Sequence, residues 1–486
     1  MTPRQLPLII ACVLIPALGL DTTTISISKT SGPVNVVSKV CDVCECTADK
    51  IDCSNRNLDN NLNDHEWPKQ PIKVITFENN RITHINSFPN LTVNKLIFYN
   101  NKIKTIDNKA FKMLSNLTEL DLSENLLTHE NFMPGALEGQ FLPEAYEPLD
   151  KLKLLNLSGN KFNTLNHDLF EHVQYLKTLI LSDNPFVELD KSSILAISSI
   201  PYLEKLDLSH CQLKKLDKVS FQSLRFLKKL DLSWNEFSNL PDALQESKSV
   251  EILILDGNPI EFLNDNNGFP PLLNVRMLSM CKMPKLLLIG KGALSSLEGL
   301  ETLKIENCTL LSEINDDALA KEGKGGGATW PPLKVLNISN NALHYLSATL
   351  VARWDKLQEL HIMSNNWNCD CDNQYLIGTL LSNHGKRLMG EEIGKLRCSG
   401  PPELAGRSLA SLGSRKLRCL DAYGARPERD AAILLGILVG LLLALPLLLL
   451  IFVLWRRGFI FCGPQGPATF SRAFYKRTSP YDNEDT

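Results

Sequence analysis

The chain has 486 residues, with 51 lysines and arginines against 54 aspartates and glutamates and a formal net charge of −3. That balance, without a basic stripe, excludes the electrostatic footprint of a nucleic-acid-binding protein. Between its two apolar ends lie roughly 410 residues, too many for one ordinary core, so internal repeats are the first expectation.

The opening stretch, "MTPRQLPLIIACVLIPALGL", sets Arg4 before an apolar run and small residues at Ala17 and Gly19. This reads as a secretory signal peptide over residues 1–19, too short and wrongly flanked for a membrane span. Residues 20–40, including "DTTTISISKTSG", read as a disordered Ser/Thr-rich arm. Next comes "CDVCECTADKIDC", with Cys41, Cys44, Cys46 and Cys53, opening a segment from 41 to 71. Four cysteines allow three disulfide connectivities and would also suit zinc. The secretory route favours disulfides over zinc.

From 72 to 367 the pattern apolar-x-x-apolar-x-apolar-x-x-Asn/Cys-x-apolar recurs about twelve times, as in "LEKLDLSHCQL" and "LKKLDLSWNEF". The ninth position runs from Asn80 to Asn365 and is occupied by Cys211, Cys281 and Cys308 in three repeats. The register is weakest at Cys281, where Arg276 falls on an apolar position. Alternation such as Leu206 and Leu208 predicts a short strand with one buried face. One such turn cannot bury its apolar side alone, so neighbours stack into a continuous core and a parallel sheet. The ninth asparagine turns inward and satisfies backbone groups where the chain bends, with cysteine as a small buried substitute.

After the repeats, "NNWNCDC" and the stretch ending "KLRC" supply Cys369, Cys371, Cys398 and Cys419 within 368–420. Taken alone, "NNWNCDC" suits half a zinc clasp, a redox pair or one side of a disulfide-closed cap.

Repeats and flanking cysteine clusters together resemble the extracellular leucine-rich repeats. The resemblance implies an α/β-type solenoid, a curved horseshoe with a parallel concave sheet and disulfide end caps. It also implies the pairs Cys41–Cys46, Cys44–Cys53, Cys369–Cys398 and Cys371–Cys419, although the first N-terminal spacing is shorter than the family usually shows. Trp367 then reads as a plug over the last repeat.

No phosphate loop, zinc-protease helix motif or serine-nucleophile elbow occurs, so no catalytic residue, metal ligand or cofactor is expected. "GKGGG" before Trp330 reads as a flexible excursion. Binding is expected on the concave face, where polar residues such as Glu119, Asp121 and Ser123 dominate. Apolar exceptions are Ile252 and Ile254 with Val275 and Met277, and Ile97 with Tyr99. The insertion from Asn131 to Asp150 is a second expected contact. Five N-glycosylation sequons begin at Asn90, Asn116, Asn156, Asn307 and Asn337.

Residues 421–430 read as a stalk. Ala431 to Trp455 carries no charge and is long enough to cross a bilayer, with Arg456 and Arg457 as the cytoplasmic stop. Gly436 and Gly440 form a Gly-x-x-x-Gly motif that would let two such helices pair into a homodimer. The tail, 456–486, contains Cys462 as a palmitoylation candidate and Tyr481 in a Tyr-Asp-Asn triplet suited to phosphorylation and docking. The expectation is a type I plasma-membrane receptor or adhesion protein that binds an extracellular protein ligand or co-receptor. The alternatives are an innate-immune co-receptor and a sequestering surface protein whose tail is silent.

Overall fold

The computed structural model describes residues 39–141, 146–323, 326–351, 355–419 and 427–457. The signal peptide, nearly all of the Ser/Thr-rich arm, most of the stalk, Cys462 and Tyr481 lie outside the described residues. The chain divides into two compact units, one of Met1–Glu236 with Pro241–Val250 and one of Phe237–Leu240 with Glu251–Thr486.

The first unit opens with an antiparallel hairpin, Glu45–Cys46 against Lys50–Asp52. Lys50–Asp52 then begins a parallel ladder through Ile72–Thr76, Val93–Ile97, Glu119–Asp121, Leu154–Asn156, Thr178–Ile180, Lys205–Asp207 and Lys229–Asp231. The second unit is built on a parallel ladder of its own through Ile252–Ile254, Met277–Ser279, Thr302–Lys304, Val335–Asn337 and Glu359–His361. Each unit is thus a stretch of parallel-sheet solenoid. Register is strict: Leu120, Leu155, Leu179, Leu206 and Leu230 are successive partners in one unit, and Leu253, Leu278, Leu303, Leu336 and Leu360 in the other. All ten are buried. A one-residue slip would turn these leucines to solvent, which is why the register holds.

The strands are short because the eighth residue of every repeat leaves the extended region. Asn79, Asn100, Glu124, Asp183, His210, Trp234, Lys282, Asn307, Asn340 and Ser364, with Gly159 and Gly257, have φ between 53° and 71°. This left-handed residue bends the chain and turns the ninth side chain inward. Asn125 shows the result: its Nδ2 donates to the carbonyls of Phe98 in the previous repeat (2.9 Å) and Leu122 in its own (3.1 Å). Its Oδ1 accepts from the Ile103 N–H (3.0 Å). Asn184 and Asn235 repeat the arrangement. Cys211 and Cys308 occupy the same place, each Sγ donating to the previous repeat's carbonyl, Leu181 at 3.3 Å and Met280 at 3.2 Å.

Cys281 does not. Leu278 pairs with Leu253 and Lys282 takes the left-handed turn, so Met283, fully buried, is the ninth residue. The register therefore lies two residues later than the cysteine suggested. Cys281 is only half-buried, on the strand's far end, with its N–H donating to Asp256 Oδ1 (2.8 Å). The shift frees Arg276 from an apolar position and places Val275 inside.

Disulfides Cys41–Cys46 and Cys44–Cys53 tie down the N-terminal hairpin, and Cys369–Cys398 and Cys371–Cys419 tie down the segment after the last strand. A buried tryptophan sits at each of these places. Trp67 meets Phe77 and Phe88 edge-on, and Trp367 donates its Nε1–H to the Ile362 carbonyl (2.9 Å). Both cover apolar surface that no further repeat would cover. The glycine-rich excursion is spanned by a small antiparallel pair, Lys321–Glu322 with Ala328–Thr329. Near the C-terminus the helix Pro427–Arg456 includes Ala431–Arg456, a stretch of mean hydropathy 3.2 and the length to cross a membrane.

Two outcomes follow from the inward-turned ninth residue. Asn235→Ala removes a partner from the Cys211 and Leu213 N–H groups and the Leu208 carbonyl, and should cost at least about 3 kcal/mol in denaturant unfolding. Asn235→Cys should cost less, since a thiol keeps a weak donor there. Burial also pushes the Cys211 and Cys308 thiols up to about 12, so neither forms thiolate at neutral pH. Iodoacetamide at pH 8 should leave both unmodified in the folded protein and label them after unfolding, as read by peptide mass spectrometry.

Candidate functional site

The leucine columns fill one face of each ladder, which leaves the residues between them on the open face. In the first unit this face is mostly polar, with Val74, Ile97, Leu154 and Ile180 as half-buried apolar exceptions that face polar register partners. Asp121, Asn156, Asp207 and Asp231 stand at the fifth repeat position, each accepting from the N–H and Oγ of the serine two residues on. Ser123, expected to face outward, is drawn down by its bonds to Asp121 and is buried. Burial raises the Asp231 carboxyl above its usual range, and neighbouring Asp207 adds to the rise. Ile97 is half-buried, aligned between Thr76 and Asp121, and Tyr99 two residues on is exposed.

In the second unit apolar residues of the open face stand directly opposite one another. Ile252 and Met277 are register partners, and Ile254 pairs with Ser279. All three apolar side chains are half-buried. Val275, grouped with them on the sequence, is fully buried at the first repeat position and is no part of the surface. Its true counterpart is Val335, half-buried in the same row beyond Thr302. Counting six residues back from the ninth asparagine of its own repeat, Asn341, would have found it.

Charge frames these residues. At the strand starts Glu301 holds Lys334 (2.6 Å) and Arg276 (3.7 Å), and the Lys334 hydrogen bond keeps the Glu301 carboxyl below its usual range. At the strand ends Asp256 accepts from Ser279 Oγ (2.7 Å), while Glu306 accepts from the Nδ2 groups of Asn337 (3.0 Å) and Asn340 (3.3 Å). An apolar centre rimmed by paired polar groups is the anatomy of a protein-contact surface.

The sequon residues are dispersed. Asn90 and Asn307 are exposed, and Asn116 is half-buried beside Lys151. Asn156 and Asn337 lie on the open face, half-buried and hydrogen-bonded. The insertion is anchored: Tyr146, whose hydroxyl accepts from the Gly139 N–H (3.0 Å), also bonds His172 Nδ1 (2.7 Å). Gly436 and Gly440 sit one turn apart with open space beside each Cα. Among the described residues no group of three or more His, Cys, Asp or Glu side chains is placed to hold a metal.

Comparison with known proteins bears on the repeat. A family profile described as "Leucine rich repeat" matches residues 201–260, and one described as "BspA type Leucine rich repeat region (6 copies)" matches residues 62–133. Opticin from Bos taurus is 29% identical over 151 residues, 28% of this chain and 45% of opticin. The platelet glycoprotein Ib beta chain from Mus musculus is 31% identical over 132 residues, 24% of this chain and 62% of the relative. Each match spans less than two thirds of the relative's length. A chain of the solved Toll–Spatzle complex from Drosophila superposes with a TM-score of 0.43 at 18% identity, covering 75% of this chain and 59% of that one. Two separate stretches match leucine-rich repeat profiles, and the same asparagine-turned unit is built in both compact units, so the chain carries leucine-rich repeats.

Proposed function

We propose that this chain is a cell-surface recognition receptor or adhesion protein that binds an extracellular protein ligand through the open face of its sheet. The observation that carries the reading is the Ile252, Ile254 and Met277 surface in its frame of ion pairs. Apolar side chains held by rigid strands, with their polar neighbours already paired, can be desolvated by a partner at little cost. The apolar helix anchors the protein in the plasma membrane with Arg456 and Arg457 inside. Glycans at exposed Asn90 and Asn307 belong to the same reading.

The test displays residues 20–430 multivalently against a library of extracellular proteins that includes the same segment, because avidity makes weak contacts visible. A protein that binds should lose at least about thirtyfold in affinity to the Ile254→Asp, Met277→Asp double variant, with secretion unchanged. Binding unaffected by that variant would remove the surface from the proposal. Binding of the segment to itself would make the protein a homophilic adhesion molecule.

The same reading has two copies of the helix pairing through Gly436 and Gly440. Replacing both with Ile should abolish the signal in a membrane-dimerisation reporter; an unchanged signal means the helix is an anchor alone.

A further inference from the structure

The start of the strands in the first unit carries a feature that the repeat does not require. The residue just before the first apolar position is aromatic in three successive repeats, Tyr175, Tyr202 and Phe226. Neighbouring repeats place Lys151 and Ser249 there. The adjacent Leu176, Leu203 and Leu227 fill the core, so the three rings have no part in it. They stack on one another instead. Tyr175 and Tyr202 have centroids 5.5 Å apart with 9° between their planes, and Tyr202 and Phe226 are 5.8 Å apart at 30°. Lys153 Nζ caps the stack, 5.3 Å from the Tyr175 centroid. Each ring is about half exposed, from 46% to 53%. A continuous row of half-exposed rings on a soluble face marks an interaction surface.

Charge selects what would lie on it. Residues 151–154, 175–178, 202–205 and 226–229, the same four positions in four successive repeats, contain six lysines and a single glutamate. That glutamate, Glu204, is held by Lys177 at 2.7 Å. Lys151, Lys177, Lys205 and Lys228 are exposed, as is Arg225 beside Phe226. The chain as a whole is slightly acidic, so the concentration of cations here is local. The occupant is therefore anionic. Ring geometry narrows it further. A sugar stacks on an open aromatic face. Here both faces of Tyr202 and one each of Tyr175 and Phe226 are taken by a neighbouring ring, with Lys153 over Tyr175, so open face is left only at the Phe226 end. Elsewhere the ring edges, the positive side of the aromatic quadrupole, are what remain, and they suit carboxylates and aliphatic or aromatic side chains.

We propose that this edge docks an acidic segment of a partner protein that also bears aromatic or aliphatic side chains. Its carboxylates meet the lysines and its apolar groups meet the ring edges. The surface shares no residue with the Ile252–Met277 site, so either proposal can fail without the other.

The test uses the full chain in detergent micelles, with three immobilised probes: a random glutamate–tyrosine copolymer, polyglutamate and heparin. The copolymer should bind most tightly. Lys205→Glu with Lys228→Glu should weaken it about tenfold or more and flatten its salt dependence. Tyr202→Ser with Phe226→Ser should lower copolymer binding to the polyglutamate level. Copolymer binding untouched by the charge pair overturns the proposal; since both lysines are exposed, that variant folds whether or not the ring variant does. Heparin binding most tightly, with no response to the ring variant, also overturns it in favour of a sulfated glycan held by charge alone.

Discussion

Everything in these repeats depends on a carboxamide held at the end of most strands. A three-residue strand cannot satisfy the backbone where the chain bends away from it. The ninth asparagine supplies both a donor and an acceptor there, bonding its own repeat and the one before. The bond to the previous repeat fixes the stacking, and the bond within the repeat fixes the bend. Because the group is buried, leaving any of these bonds unmade is expensive, which makes the geometry nearly the same from Asn80 to Asn365. Cysteine at 211 and 308 keeps the size and a weak donor, and its burial silences the thiol chemistry it would otherwise bring.

Most of the architecture was legible because the leucine spacing and the inward polar residue state the same register twice. Where they disagreed, the reading slipped. In "NVRMLSMCKM" the visible cysteine invited the ninth position, while the true signals were weaker: Leu278 aligned with Leu253, and a residue able to turn left-handed at Lys282. The ninth residue there is Met283, which a polar-or-cysteine rule cannot see, and the slip carried Val275 onto a surface where it does not belong. The aromatic row was invisible for a different reason. Tyr175, Tyr202 and Phe226 stand outside the repeat motif, and only the strict strand register brings them within stacking distance.

The open face shows how polarity is arranged around the apolar residues of a parallel sheet. Its aspartates are answered by serines two residues on, and its glutamates by lysine, arginine or asparagine amides. Satisfied in this way, the polar groups neither pull on the strands nor demand water when covered. The apolar residues among them are then the places where covering releases free energy.

The interval between Glu119–Asp121 and Leu154–Asn156 holds an insertion, yet Leu120 and Leu155 meet in the same register as strands joined by shorter connections. The extra chain forms its own hairpin, Gln140–Phe141 with Tyr146–Glu147, and is tied to the loop of the following repeat at His172. Length on the loop side is thus uncoupled from spacing on the sheet side. A gene for such a protein can gain or lose whole segments in its loops while the sheet presents an unchanged pattern, so the two sides are free to acquire separate partners at separate times.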